Sequence, residues 1–174
     1  MLKLIVVILA TLSISFSSYA DEGKKVKMKT YRHSVFSVSV PMDWEEKRES
    51  NDETVILNSK NGKDQLTISV MHFKPGTKKE DLKKSFERHL VARHQAEKVE
   101  AKGKVMLTDA KINDNGDFLY SKYGGYEKSI DRRFIALVTA EKGKLFTFYV
   151  ESIGTSDEYT NNIAAEIFNS VEVK

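Results

Sequence analysis

Cysteine is absent from all 174 residues. That removes disulfides, thiolate metal centres and a lipid anchor on cysteine. Proline occurs twice and glycine nine times, too few for a long disordered linker, and no fixed-period repeat or low-complexity tract is present. Charge of one sign is also missing as a theme: 28 Lys and Arg face 25 Asp and Glu, a net +3. Dedicated nucleic-acid binding asks for a concentrated basic excess, which this balance does not provide. Long apolar runs are limited to Leu4–Leu12, well short of the roughly 20 residues that cross a bilayer.

That short run has a different meaning. Lys3 gives a positive start, Leu4–Leu12 an apolar centre, and Ser18-Tyr19-Ala20 a small-x-small cleavage site. The pattern predicts a secretory signal peptide over residues 1–20, removed after Ala20. The expected location is the periplasm or the exterior, with no stable membrane insertion after cleavage. Residues 21–30 read as a charged, flexible stub, and residues 31–174 as a single domain of a length that buries a core without staples.

Within that domain Phe36, Val38 and Val40 alternate with serines, so the stretch reads as a strand with one buried face. Pro41 suits its end, since it has no N–H to extend a ladder. Trp44, the sole tryptophan, is expected to plug the core. Thr54–Ser59 and Leu66–Val70 are strands joined by the tight turn Asn61-Gly62. Thr77-Lys78-Lys79-Glu80 matches a capping box, and Leu82, Phe86 and Leu90 form one helical stripe. The helix is expected to end near Gln95. Val105 to Leu107 and Phe118 to Tyr123 suggest strands, with a turn at residues 113–116. Arg133–Ala140 and Leu145–Val150 are apolar in both phases, the mark of central strands buried on two faces. Thr155-Ser156-Asp157-Glu158 is a second capping box before the stripe Tyr159, Ile163, Ile167, and residues 170–173 close the chain in extended form. The sum is an α+β fold: a mainly antiparallel β-sheet flanked by two principal helices.

Catalytic chemistry finds little support. There is no G-x-S-x-G and no H-E-x-x-H. His89 and His94 lie five apart on one helix, about 140° around its axis, and do not form a chelating pair. Gly124-Gly125 lacks the lysine, threonine and helix of a phosphate loop. No cofactor, metal or catalytic residue is assigned. The first helix is rich in Lys and Arg (Lys78, Lys79, Lys83, Lys84, Arg88, Arg93), but Glu80, Asp81 and Glu87 interleave, as on a solvated face. The stretch YSKYGGYEKSIDRR stands out. Tyrosine and arginine are enriched in interface hot spots, and glycines admit a partner's backbone. Tyr120, Tyr123, Gly124, Gly125, Tyr126, Arg132 and Arg133 are therefore the candidate partner-binding residues, with Tyr123 and Tyr126 expected to be exposed together.

The pattern F-x-V-x-V-P-x-x-W at Phe36–Trp44 resembles the opening of Mog1/PsbP-like domains. So do the capped helix after the first hairpins, the segment Gly143–Val150, the helix from Ser156 and the closing Ile167–Val171. The resemblance covers the chain from about Tyr31 onward. Asp43 stands where members often carry glycine before the tryptophan. The family is a binding scaffold that includes extrinsic photosystem subunits, a nuclear-transport factor, secretion-system adaptors and exported bacterial proteins. It implies a non-catalytic periplasmic binding or accessory protein whose partner is another protein. One alternative is an immunity protein neutralising a toxin delivered to the periplasm; another is an enzyme of unidentified class.

Overall fold

The computed structural model describes residues 26–174. The expected leader with its cleavage site at Ala20, and the stub as far as Lys25, lie outside the described residues. The remainder of that stub is ordered: Met28, Lys29 and Thr30 belong to a strand.

Eleven strands and two helices follow in chain order. They are β1 (Met28–Arg32), β2 (Phe36–Pro41), β3 (Glu45–Glu46), β4 (Thr54–Asn58), β5 (Asp64–His72), α1 (Lys79–Glu100), β6 (Val105–Leu107), β7 (Asn113–Asp114), β8 (Leu119–Glu127), β9 (Arg132–Glu141), β10 (Lys144–Ile153), α2 (Asp157–Asn169) and β11 (Glu172–Val173). The large sheet runs β3-β4-β5-β10-β9-β8-β6, with β7 also on β8; a small sheet runs β1-β2-β11. Every pairing is antiparallel.

The hairpin turns form where small or positive-φ residues permit them. Lys142 and Gly143, at φ 50° and 73°, join β9 to β10, which matches the right-handed strand twist. Ten residues pair between these strands, from Lys144 opposite Glu141 to Ile153 opposite Arg132. Their side chains alternate between two cores. Phe146, Phe148 and Val150 face α2 and the small sheet, where Phe36, Val38, Val40, Ile163, Ala164 and Ile167 are also buried. Leu145 and Tyr149, with Phe134, Ala136 and Val138 of β9, face α1, which supplies Phe86 and Leu90. The double-sided apolar pattern of β9 and β10 thus has one helical cover on each side.

Trp44 is 1% exposed and belongs to the α2-side core. Its N–H donates to the Pro41 carbonyl at 3.1 Å, so the turn that ends β2 also aims the indole inward. Its carbonyl accepts from Lys29 Nζ at 2.6 Å, tying β1 to the same corner.

Helix boundaries differ from the sequence reading. Thr77 does not cap α1; its hydroxyl donates to the Lys74 carbonyl at 2.6 Å, and the N-cap Lys78 offers no side-chain acceptor. The helix continues past Gln95 to Glu100. It stops where Gly103 N–H donates to the Lys98 carbonyl and Lys102 N–H to that of Val99, a Schellman closure with Lys102 at φ 50°. At α2 the cap is Ser156, whose hydroxyl accepts from the Tyr159 N–H at 3.1 Å. The expected box is displaced by one residue because the Thr155 hydroxyl pairs with that of Thr160 instead.

Replacing Trp44 with alanine empties the largest fully buried side chain of the α2-side core. The expected loss is about 3–5 kcal/mol, read as a lower urea midpoint with an unchanged slope.

Candidate functional site

The tyrosine–glycine stretch is regular strand. β8 continues straight through Gly124 and Gly125 to Glu127, paired with β9 throughout. A Cβ on Gly125 would stand 2.5 Å from the Phe134 ring, and one on Gly124 2.8 Å from the Phe134 carbonyl. The ring leaves no room for a side chain at Gly125, and the backbone of β9 leaves none at Gly124. The glycines are demanded first by packing.

Strand alternation then divides the candidate residues between the two faces. Tyr123, Gly125 and Glu127 point toward α1; Tyr120, Lys122, Gly124 and Tyr126 point the other way. Tyr123 is 2% exposed, its ring set edge-on to His94 at 4.6 Å and to Phe134 at 6.5 Å. The expectation that Tyr123 and Tyr126 are exposed together is therefore corrected: residues three apart on a strand cannot share a face. Arg132 and Arg133, being adjacent, part in the same way. Tyr120 is half-buried beside Phe118, with ring centroids 5.8 Å apart.

On the outer side of β8 a cleft of ≈ 330 Å³ opens between the β6 edge and the start of α2. Gly124 and Ile135 form its floor, Met106 and Thr108 one wall, Thr160 and Asn161 the other. At one end the Arg133 guanidinium lies 4.5 Å over the Tyr126 ring. It is held by Asp131 and Asp157, and the Tyr126 hydroxyl donates to Asp131 at 3.2 Å. The hydrogen bond from Arg133 is the main reason that the Asp131 carboxyl titrates below its ordinary value. Thr108 closes the strand edge here, taking the Gly124 N–H on its hydroxyl and giving its own N–H to the Gly124 carbonyl.

On the α1 side, Arg132 is the centre of a buried charge network. It reaches Glu97 at 2.9 Å, Glu127 at 3.2 Å and Glu151 at 3.5 Å, and Arg93 meets Glu97 at 3.5 Å. An Arg132 N–H also donates to the Tyr149 hydroxyl at 3.4 Å. Three carboxylates share two guanidiniums. Burial pushes the Glu151 carboxyl up despite Arg132. Glu97, 2% exposed, is a helix residue that sequence reasoning passes over, since its buried partner lies 35 positions away. Arg132 is thus committed to holding α1 on the sheet and is not available to a partner.

The histidines do not converge. His89 Nε2 is 2.9 Å from the Thr147 hydroxyl, His33 stacks on Phe36 at 4.8 Å, and His72 is exposed. Among the described residues no three of His, Asp and Glu stand close enough to hold a metal ion, and no helix is long and apolar enough to cross a membrane.

No family model and no curated protein match the chain by sequence. Solved structures do match. The fold is similar to the solution structure of cyanobacterial PsbP (CyanoP) from Synechocystis sp. PCC 6803, with a TM-score of 0.63, 15% identity, and 90% of this chain and 98% of that one covered. A Bacteroides thetaiotaomicron protein aligns at TM-score 0.49 and 15% identity over 87% of this chain and 49% of its own. LpqN, involved in cell envelope biogenesis of Mycobacterium tuberculosis, aligns at 0.46 and 14% over 88% and 94%. The chain has a Mog1/PsbP-like α+β fold.

Two substitutions check the network. Arg132→Met leaves buried carboxylates uncompensated and is expected to cost about 3–5 kcal/mol in urea unfolding. Glu151→Gln tests the sign of the Glu151 shift. A carboxyl raised in the folded state contributes stability that is present below its unfolded value and lost as pH rises through the folded one. The variant should therefore match the parent in acid and exceed it in stability at neutral pH; a smaller stability at neutral pH would show that the ion pair to Arg132 outweighs burial.

Proposed function

We propose that the protein is a non-catalytic, periplasmic or secreted accessory protein that recognises another protein through the Gly124 cleft. The observation that carries this reading is the cleft's construction. Its floor is a strand position where any side chain would clash with the backbone behind it. Its end wall is a tyrosine–arginine stack whose cation is already neutralised by two aspartates. Such a surface is rigid before binding and loses little side-chain entropy on contact. It offers an aromatic edge, the half-buried Ile135 and the exposed Met106 to one anchoring side chain of a partner, the usual centre of a hot spot. Export through the leader accords with this role, and the fold shared with CyanoP is a scaffold on which such a surface can be built.

Met106→Asp and Asn161→Arg alter exposed cleft walls without touching either core. Affinity capture from periplasmic extract should yield a partner with the parent protein and lose most of it, by roughly tenfold or more, with each variant. Equal recovery with both variants would remove the cleft from the interface. Turnover of a chromogenic ester or phosphate by the purified protein would overturn the non-catalytic reading. Export is tested separately: Ala20→Asp should leave a heavier, membrane-associated form in place of the mature one, and a protein of unchanged mature mass would displace the cleavage site.

A further inference from the structure

We propose that the outer edge of β1 is a second recognition surface, which accepts an extended acidic segment of a partner protein as an added antiparallel strand. This goes beyond the cleft, lies on a different sheet, and stands or falls without it.

The hydrogen-bond phase of β1 shows which groups face outward. Met42 N–H donates to the Lys27 carbonyl at 2.9 Å, and His33 N–H to the Phe36 carbonyl at 2.9 Å. Opposite Thr30, the Ser39 N–H turns away from β1 and donates to the Ser170 hydroxyl at 2.7 Å. Lys29 and Tyr31 therefore bond inward to β2, while Met28, Thr30 and Arg32 present their N–H and C=O groups to the outside. No strand covers that edge among the described residues.

The other outermost strands among the described residues, β3, β6, β7 and β11, are only two or three residues long. Along β4, beyond the two-residue β3, the Ser50 hydroxyl accepts from the Ile56 N–H, and the Asn51 side chain from that of Thr54. The Lys47 N–H donates to the Ile56 carbonyl. On β8, β6 and β7 pair with either end and Thr108 binds Gly124. β11 is two residues long. An open edge is a template for strand addition, and β1 has neither the proline nor the bulge that blunts such an edge.

Charge identifies the occupant. From Gly23 to Met42 the sequence holds Lys24, Lys25, Lys27, Lys29 and Arg32 and no Asp or Glu. Lys29 is engaged with the Trp44 carbonyl, and Glu46 lies beside the Tyr31 hydroxyl, leaving Lys27 and Arg32, both exposed, to flank an incoming strand. A second copy of β1 would set its own Lys27, Lys29 and Arg32 against these, like charges across one ladder. An acidic strand pairs its backbone with the edge and its side chains with the cations.

The test uses purified protein and a capped synthetic peptide of alternating Glu and Val, followed by backbone amide exchange in NMR. The peptide should slow exchange at Met28, Thr30 and Arg32 and leave Lys29 and Tyr31, already paired, unchanged. Thr30→Pro removes an outward N–H and none of the bonds to β2, and should weaken binding roughly tenfold. Lys27→Glu with Arg32→Glu should do the same and does not depend on proline being tolerated. Met106→Asp in the cleft should have no effect. Equal binding of a peptide N-methylated on alternate residues, or no protection of the three amides, would overturn the proposal. Binding of phosphatidylglycerol vesicles without amide protection would assign the basic strand to an anionic surface and overturn it as well.

Discussion

The two-sided burial of β9 and β10 is the constraint from which the architecture follows. A strand that is apolar in both phases exposes a hydrophobic face unless each side is covered, and at roughly 25 cal/mol per Å² of apolar surface the penalty for leaving one bare exceeds a domain's typical net stability. One cover is α2 with the small sheet, where Phe36 meets Phe146 and Phe148 edge-on at 6.3 and 5.8 Å. The other is α1. β8, which flanks this centre, approaches β9 so closely that the Phe134 ring excludes a side chain at Gly125 and the Phe134 carbonyl excludes one at Gly124, which puts two glycines in the middle of a strand. The cleft is a by-product of the same packing: where Gly124 offers no side chain and α2 does not reach across to β6, the sheet face stays partly open.

The two covers are attached differently. α2 contributes Ile163, Ala164 and Ile167 to a continuous apolar layer. α1 contributes Phe86 and Leu90 from its start to its middle, while in its second half, beyond Leu90, the buried residue is Glu97, and Val91 and Val99 face solvent. That second half rests on ion pairs and hydrogen bonds instead of apolar area. A buried pair gains little net free energy once desolvation is counted, yet it strongly penalises any arrangement in which it is unmatched. The network on Arg132 therefore sets the rotation of α1 more than it sets stability, and it fixes which helix face meets Tyr123 and Tyr149.

Features governed by local chemistry were legible in the sequence, and those governed by distant packing were not. Period-two alternation located β2 and β5, runs apolar in both phases located β9 and β10, and the Asn61-Gly62 turn, with its glycine at φ 70°, located the hairpin of β4 and β5. Trp44 was legible as a core residue for the same reason: proline ended the strand and left an aromatic side chain with nowhere else to go. The candidate site failed at one identifiable point. Ending the expected strand at Tyr123 left its parity with Tyr126 out of account. Had β8 been carried through the glycines, simple parity would have sent Tyr123 and Arg132 to one face and Tyr126 and Arg133 to the other. Nothing local announces that a strand continues through two glycines; the Phe134 ring nine residues further on decides it. The same holds for Glu97 and Arg132, whose partnership exists only across the fold.

Parity also distinguishes the two surfaces that remain. In the cleft the cation is satisfied inside the protein, so contacts made there would be short-ranged, shape-dependent and little affected by salt. Along β1 the backbone groups are unsatisfied and the flanking cations act at a distance up to about a Debye length, roughly 8 Å at physiological ionic strength. A partner meeting the edge first would be drawn by charge and held by main-chain hydrogen bonds that are nearly indifferent to sequence. A partner meeting the cleft would be selected by the fit of a side chain. Steering and selection make opposite demands on a surface, one for unpaired charge and the other for pre-paired rigidity. The open edge and the cleft lie on separate sheets, the second where the Phe134 carbonyl leaves no room for a side chain at Gly124.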